Sequence, residues 1–241
     1  MTKPAPFRAT VLTLFPEAFP GALGVSLIGA ALEKELWALE TVDMRAFSRH
    51  KHASVDDTPA GGGPGMVLRP DVAADAIDSI DLRDRPLIHL TPRGRPLTQT
   101  QVRQWAAGPG VVLFCGRFEG LDQRVVEARA MDEVSVGDAV LAGGDIPAQY
   151  LIEACVRLIP GVLGKLASTE DESFEGDLLE YPQYTRPRVW EGREIPDVLV
   201  SGDHGKIARW RREQAEEITR RRRPDLWARH THPAANEGEE R

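Results

Sequence analysis

The sequence predicts an α/β domain on a mostly parallel sheet with helices on both faces, followed by a smaller, mainly helical C-terminal domain. Three observations carry this. Between residues 10 and 158 short apolar runs alternate with stretches of helical periodicity, as they do when crossover helices join parallel strands. Residues 165–177 are acidic and rich in Ser, Thr and Glu, the composition of a linker. Beyond them, residues 203–222 read as a strongly charged helix carrying Arg209, Arg211, Arg212 and the start of the run Arg220-Arg221-Arg222-Arg223. The expected organisation is 1–164 as the α/β domain, 165–177 as the interdomain linker and 178–241 as the helical domain.

Each element follows from its pattern. Residues 10–15 form the first expected strand, stopped by Pro16-Glu17, and 25–36 an amphipathic helix with Leu27, Ile28, Ala31, Leu32 and Glu35 at helical spacing. Residues 40–47 return as a strand. A long polar loop, 48–65, then holds His50, Lys51, His52, Asp56, Asp57 and the run Gly61-Gly62-Gly63-Pro64-Gly65; a loop of this length inside a compact domain is usually functional or disordered. Residues 70–80 are helical, 87–90 a short strand ending in Thr91-Pro92-Arg93-Gly94, and 98–107 a helix with Thr98 as its cap. Residues 111–115 form a fully apolar strand, 122–128 a short helix, 133–136 a strand, and 146–158 a helix ending in Arg157 just before Pro160-Gly161. Residues 181–196 read as irregular, and 231–241 as a frayed end.

The stretch 111–145 organises the chain. One strand breaks into Gly116-Arg117-Phe118-Glu119-Gly120, and a second breaks into Gly137-Asp138, with Gly143-Gly144 close behind. Glycines let backbone groups approach a ligand, and open α/β sheets bind ligands at the carboxyl ends of their strands. None of these loops fits a P-loop or a G-x-G-x-x-G fingerprint, and neither does the 61–65 run. His50 and His52 lack a third metal ligand at suitable spacing, which favours exposed loop histidines or phosphate contacts. Arg157 reads two ways: a charge complementing a helix dipole, or an anion stabiliser. The arginine-rich helix is either a solvated face, with Glu213, Glu216 and Glu217 interleaved, or an RNA surface in which Trp210 adds stacking.

A net charge of −7 excludes a uniformly basic nucleic-acid surface but not a local patch. Cys115 and Cys155 are far apart in sequence, which favours buried thiols in a reducing compartment. Without a signal-like or bilayer-spanning run, a cytoplasmic protein with no membrane partner is expected.

Taken together, several motifs resemble the bacterial tRNA (guanine-N1)-methyltransferases of the SPOUT superfamily. They are Leu14-Phe15-Pro16-Glu17, Val55-Asp56-Asp57, Gly61-Gly62-Gly63-Pro64-Gly65-Met66, Cys115-Gly116-Arg117-Phe118-Glu119-Gly120, Val136-Gly137-Asp138, Gly143-Gly144, Pro160-Gly161-Val162-Leu163-Gly164, Tyr184-Thr185-Arg186-Pro187 and Ser201-Gly202. The resemblance implies a SPOUT-type, deeply trefoil-knotted parallel-sheet domain, an obligate homodimer, and methyl transfer from S-adenosylmethionine to N1 of the tRNA guanosine at position 37, just 3′ of the anticodon. It implies that Leu90, Thr91, Pro92, Gly116, Arg117, Glu119, Val136, Gly137, Asp138, Ala139, Val140, Leu141, Gly143 and Gly144 bind the cofactor. Asp56, Gly62, Gly63 and Arg186 would contact the tRNA. It also implies Mg²⁺, for which the sequence displays no dedicated cage. By the same pattern Arg157 stabilises charge on the guanine O6, and a linker carboxylate removes the N1 proton. The family's linker ends in Asp-Ser-Phe or Asp-Ser-His, whereas this chain has Glu172-Ser173-Phe174 after Asp171. Alignment without gaps puts Glu172 at the base position, with Asp171 the alternative. A SPOUT methyltransferase acting elsewhere on RNA, and a non-catalytic RNA-binding protein on the same fold, stay open at this point.

Overall fold

The computed structural model describes residues 7–163 and 172–232, and the chain divides into two compact units, 1–164 and 165–241. The first unit opens with β1 (Phe7–Thr13), whose side chains are nearly all buried. A 3-10 turn precedes α1 (Ser26–Glu33), and β2 (Trp37–Asp43) follows. Two-residue strands β3 (Asp56–Asp57) and β4 (Val67–Leu68) pair antiparallel across the glycine run. α2 (Pro70–Asp78) starts with a proline in its first turn, where no N–H is missed. β5 (Leu87–Pro96) leads to α3 (Gln99–Ala106), where the Gln101 N–H donates to the Thr98 hydroxyl oxygen at 3.2 Å. β6 (Gly110–Cys115), α4 (Gln123–Ala128), β7 (Asp132–Ser135) and α5 (Asp145–Val156) complete the unit.

Five strands form one parallel sheet in the order β2-β1-β6-β5-β7. Alternation along β6 sorts the core into two layers. Val111, Leu113 and Cys115 join the helices α1, α3 and α5, while Val112 and Phe114 join α2 and α4. Helices on both faces of a parallel sheet are what the alternating pattern required.

Several boundaries move. The first strand ends at Thr13, because the Phe15 N–H folds back to the Thr13 hydroxyl at 2.9 Å. The strand expected over 40–47 runs over β2 instead; Met44–Phe47 is a 3-10 turn started by the Asp43 carboxylate accepting the Arg45 N–H. The strand expected to stop at Leu90 continues to Pro96, pairing with β7 again at Arg95 and Pro96 after a register shift. That excursion sets Thr91–Gly94 outside the ladder, at the strand's carboxyl end.

In the second unit, β8 (Val189–Trp190) and β9 (Arg193–Glu194) make a small hairpin inside the stretch read as irregular. α6 (His204–Arg222) is capped by Asp203, whose carboxylate accepts the Lys206 N–H at 3.0 Å. α7 (Pro224–Thr231) is an unanticipated helix whose proline occupies its first turn. No described helix is long and apolar enough to cross a membrane.

Candidate functional site

The carboxyl ends of β5, β6 and β7 lie side by side, so the segments leaving them share one cleft. Its volume is about 300 Å³, and it is lined from three directions: His89–Arg93, Gly116–Gly120 and the segment 134–144, with Pro147 from the first turn of α5. Of the residues expected to hold the cofactor, Leu90, Thr91, Pro92, Gly116, Arg117, Glu119, Val136, Gly137, Ala139, Val140, Leu141, Gly143 and Gly144 all line it. Asp138 does not; it is exposed between Gly137 and Ala139. Gly144 is fixed by close approach: its N–H donates to the Gly116 carbonyl at 2.9 Å, and a Cβ there would stand 2.7 Å from the Cys115 backbone.

Arg117 lines the cleft with its guanidinium already engaged by the protein. Its guanidinium donates through Nη2 and Nε to Asp145 Oδ2, at 2.7 and 3.1 Å, and through Nη1 to the Ala142 carbonyl. It also stacks 4.3 Å above the Phe15 ring. Asp145 is buried, and its other oxygen accepts from the Thr13 hydroxyl at 2.5 Å. Arg117 and Asp145 thus clamp the loop after β6 to the start of α5, closing two walls of the cleft with a charge-assisted pair.

Sequence reading gave three residues here no individual role, although Arg93 lies in the loop 91–94 expected at the cofactor. His89 was an unremarked member of an apolar strand; it is buried on the cleft wall, and its Nδ1 has no hydrogen-bond partner. Burial pushes its imidazole down to about 4, against the opposing pull of Glu133, so the ring is neutral at pH 7. Arg93 lines the cleft, and Asp145, outside the lining, holds the cleft residue Arg117. The only signal for His89 was a titratable residue inside an otherwise apolar strand, and for Asp145 a carboxylate directly after paired glycines. Burial pushes the Cys115 thiol well up, away from the thiolate form that reacts.

The remaining expected residues lie outside the cleft lining. Asp56 is in β3, and Gly62 and Gly63 are in the exposed loop between β3 and β4. That loop is tied to the cleft wall, because the Glu119 N–H donates to Met66 O and the Leu68 N–H to Gly120 O, both at 2.9 Å. Arg157 is the residue directly after α5. Ten residues along the helix from Pro147, the α5 residue that lines the cleft, it stands about 15 Å away at 1.5 Å per residue. Arg186 is exposed in the second unit, and Asp171 lies outside the described residues. Glu172 lines a second cleft of about 450 Å³ in the second unit, with Tyr181, Arg211, Arg212 and His230. His50 Nε2 lies 2.6 Å from the Asp71 carboxylate. Among the described residues no three His, Cys, Asp or Glu side chains cluster as a metal site.

A parallel sheet with a glycine-walled cleft at the ends of three adjacent strands, and no dinucleotide fingerprint, defines an open-sheet α/β protein that is not of the dinucleotide-binding type. Comparison with known proteins makes this specific. A sequence model of the tRNA (Guanine-1)-methyltransferase TrmD family matches residues 7–229. The tRNA (guanine-N(1)-)-methyltransferase of Rhodopseudomonas palustris is 66% identical over 223 residues, covering 92% of this chain and 90% of that protein. Those of Caulobacter vibrioides and Bradyrhizobium diazoefficiens are 63% identical over 226 residues (93% and 92% of the two chains) and 61% identical over 233 (95% and 91%). The chain belongs to the tRNA (guanine-1)-methyltransferase family.

Proposed function

We propose that this enzyme transfers the methyl group of S-adenosylmethionine to N1 of guanosine 37 in tRNA, working as a cytoplasmic homodimer on a trefoil-knotted SPOUT fold. The observation that carries the reading is the convergence of the three loops 91–94, 116–120 and 136–141 on one cleft. The lining fits the donor: Gly120 and Gly137 leave open space where a side chain would stand, so adenosine is held by backbone. For Mg²⁺ the described residues offer no three-donor cluster, and no step is assigned to it.

The donor supplies an electrophilic methyl carbon on a sulfonium. Glu172, the favoured linker carboxylate, takes the guanine N1 proton. The N1 lone pair then forms the bond to the methyl carbon, and the carbon–sulfur pair leaves with sulfur. Charge that builds on O6 meets the Arg157 guanidinium. Since α5 holds Arg157 about 15 Å along the helix from the cleft-lining Pro147, the reading assigns Arg157 to the partner's cleft. Exposed apolar side chains support a second copy as occupant: Val25 and Leu27 near the start of α1, and Ile146 and Tyr150 on α5. Asp56, Gly62, Gly63 and Arg186 are assigned to tRNA.

Transfer of labelled methyl to bulk tRNA, followed by location of the modified nucleoside, tests the activity; label at another position or none overturns it. Single-turnover assays of Glu172→Gln and Asp171→Asn identify the base. A loss of at least about a hundredfold in Glu172→Gln alone is expected, within the usual contribution of a general base; the reverse pattern moves the role to Asp171. Arg157→Ala should lower turnover while donor binding stays near normal.

A further inference from the structure

Two guanidiniums line the cleft, and their situations differ. Arg117 is engaged by the buried Asp145, by Ala142 O and by the Phe15 ring, and it cannot leave without stranding a buried carboxylate. Arg93 is 65% exposed at its side chain, and its Nη2 donates to Gln123 Oε1 and to the partly buried Glu133 Oε1, both at 3.1 Å. Such exposed bonds are worth little and yield readily to a ligand anion. Directly behind Glu133 lies an unmet need. Strand pairing puts His89 opposite Glu133, and the buried, partnerless His89 Nδ1 stands 3.6 Å from the same Oε1 that Arg93 holds. One carboxylate oxygen is therefore contested between a guanidinium at the cleft wall and an imidazole behind it.

We propose that Arg93 is the anchor for the α-carboxylate of the methyl donor's amino-acid end, and that Glu133, released by Arg93 on binding, moves onto His89 Nδ1. The proposal rests on the methyl-donor reading of the cleft. Arg93 turns a planar pair of N–H groups to the ligand carboxylate, the geometry guanidinium recognises best. Glu133 needs to close less than 1 Å to bring its oxygen within hydrogen-bond distance of His89. The exchange leaves neither partner worse off: Arg93 trades one carboxylate for another, and a buried nitrogen that lacked a bond gains one, removing a standing desolvation cost. His89 then carries its proton on Nδ1, and its ring is fixed against Gly116, whose Cβ position lies 3.1 Å from His89 Nε2.

Calorimetric titration of the full-length protein with two ligands isolates the carboxylate. S-adenosylhomocysteine carries the amino-acid end, and 5′-methylthioadenosine lacks it. Arg93→Gln should weaken S-adenosylhomocysteine by at least about tenfold, the factor one lost charge-assisted bond carries, and leave methylthioadenosine within about twofold. Arg93→Lys should recover part of the loss. His89→Phe keeps a ring and removes the nitrogens; it should weaken S-adenosylhomocysteine severalfold and spare methylthioadenosine. Equal losses for both ligands would reduce Arg93 to a residue that shapes the cleft, and no loss for either overturns the proposal outright. Unchanged S-adenosylhomocysteine affinity with a reduced salt dependence of tRNA binding would make Arg93 a phosphate contact instead. Wild-type protein that binds neither ligand overturns the methyl-donor reading itself.

Discussion

At the residue scale the cleft depends on a buried carboxylate. Asp145 and Arg117 form a largely buried pair, 6% and 26% exposed at their side chains. Removing one member strands the other, a cost of about 3 kcal/mol. Asp145→Asn and Arg117→Gln should each lower the denaturant midpoint by that order, and the double variant should lose less than the sum of the singles. Additive losses would show that the two side chains act separately. His89 makes a pH prediction. Its folded value lies near 4 because of burial, below the ordinary 6.5. Between those values the unfolded chain binds a proton that the native chain does not, so stability rises with pH across the window and falls on acidification, by at most about 3 kcal/mol. His89→Phe should flatten the pH dependence of Tm between 6.5 and 4; an unaltered slope would assign the acid sensitivity to other groups.

At the element scale α6 separates arginines that look alike in sequence. Arg212 pairs with Glu216 at 2.8 Å, Arg220 with Glu217, and Arg223 forks onto Asp225, whose carboxyl it holds down to about 2. Arg209, Arg221 and Arg222 make no ion pair among the described residues. That set is ready to meet phosphate without first breaking a pair, whereas Arg211, also without an ion pair among the described residues, packs over the Tyr181 ring with its Nε buried. Arg221→Ala with Arg222→Ala should lower the salt slope of tRNA binding by about 2, and Arg220→Ala with Arg223→Ala by less; equal effects would remove the distinction. Periodicity made α3, α4 and α6 readable, and the expected cap at Thr98 is present; the caps at Asp122 and Asp203 are added by the structure. β5 was cut short because Thr91-Pro92-Arg93-Gly94-Arg95-Pro96 has loop composition; only pairing with β7 after a register shift keeps it a strand. α7 was missed because Pro224 reads equally well as a stop and as a first-turn residue. His89 and Asp145 were invisible as site residues because their roles arise from strand register and burial, which no local pattern encodes.

At the scale of the whole molecule, the cleft belongs to the first unit, while Glu172 and the basic helix belong to the second. With Arg157 assigned to the partner's cleft, two differently damaged chains should repair one another. Gly144→Ala forces a methyl against the Cys115 backbone and disables the cleft; Arg157→Ala disables the other half. Random mixing makes half the dimers mixed, each with one intact site, so about a quarter of wild-type activity should return. Recovery near zero would return Arg157 to its own chain. Met66 O and Leu68 N strap the β3–β4 connection to the cleft wall, and a Cβ at Gly65 would meet the Glu119 side chain at 2.4 Å, whereas at Gly61, Gly62 and Gly63 it would meet nothing. Covalent continuity is therefore dispensable on one side of Pro64 and not on the other. A protease that nicks the backbone at 61–63 should leave two fragments that stay together and still bind S-adenosylhomocysteine, because residues 61–63 make none of the bonds that shape the cleft.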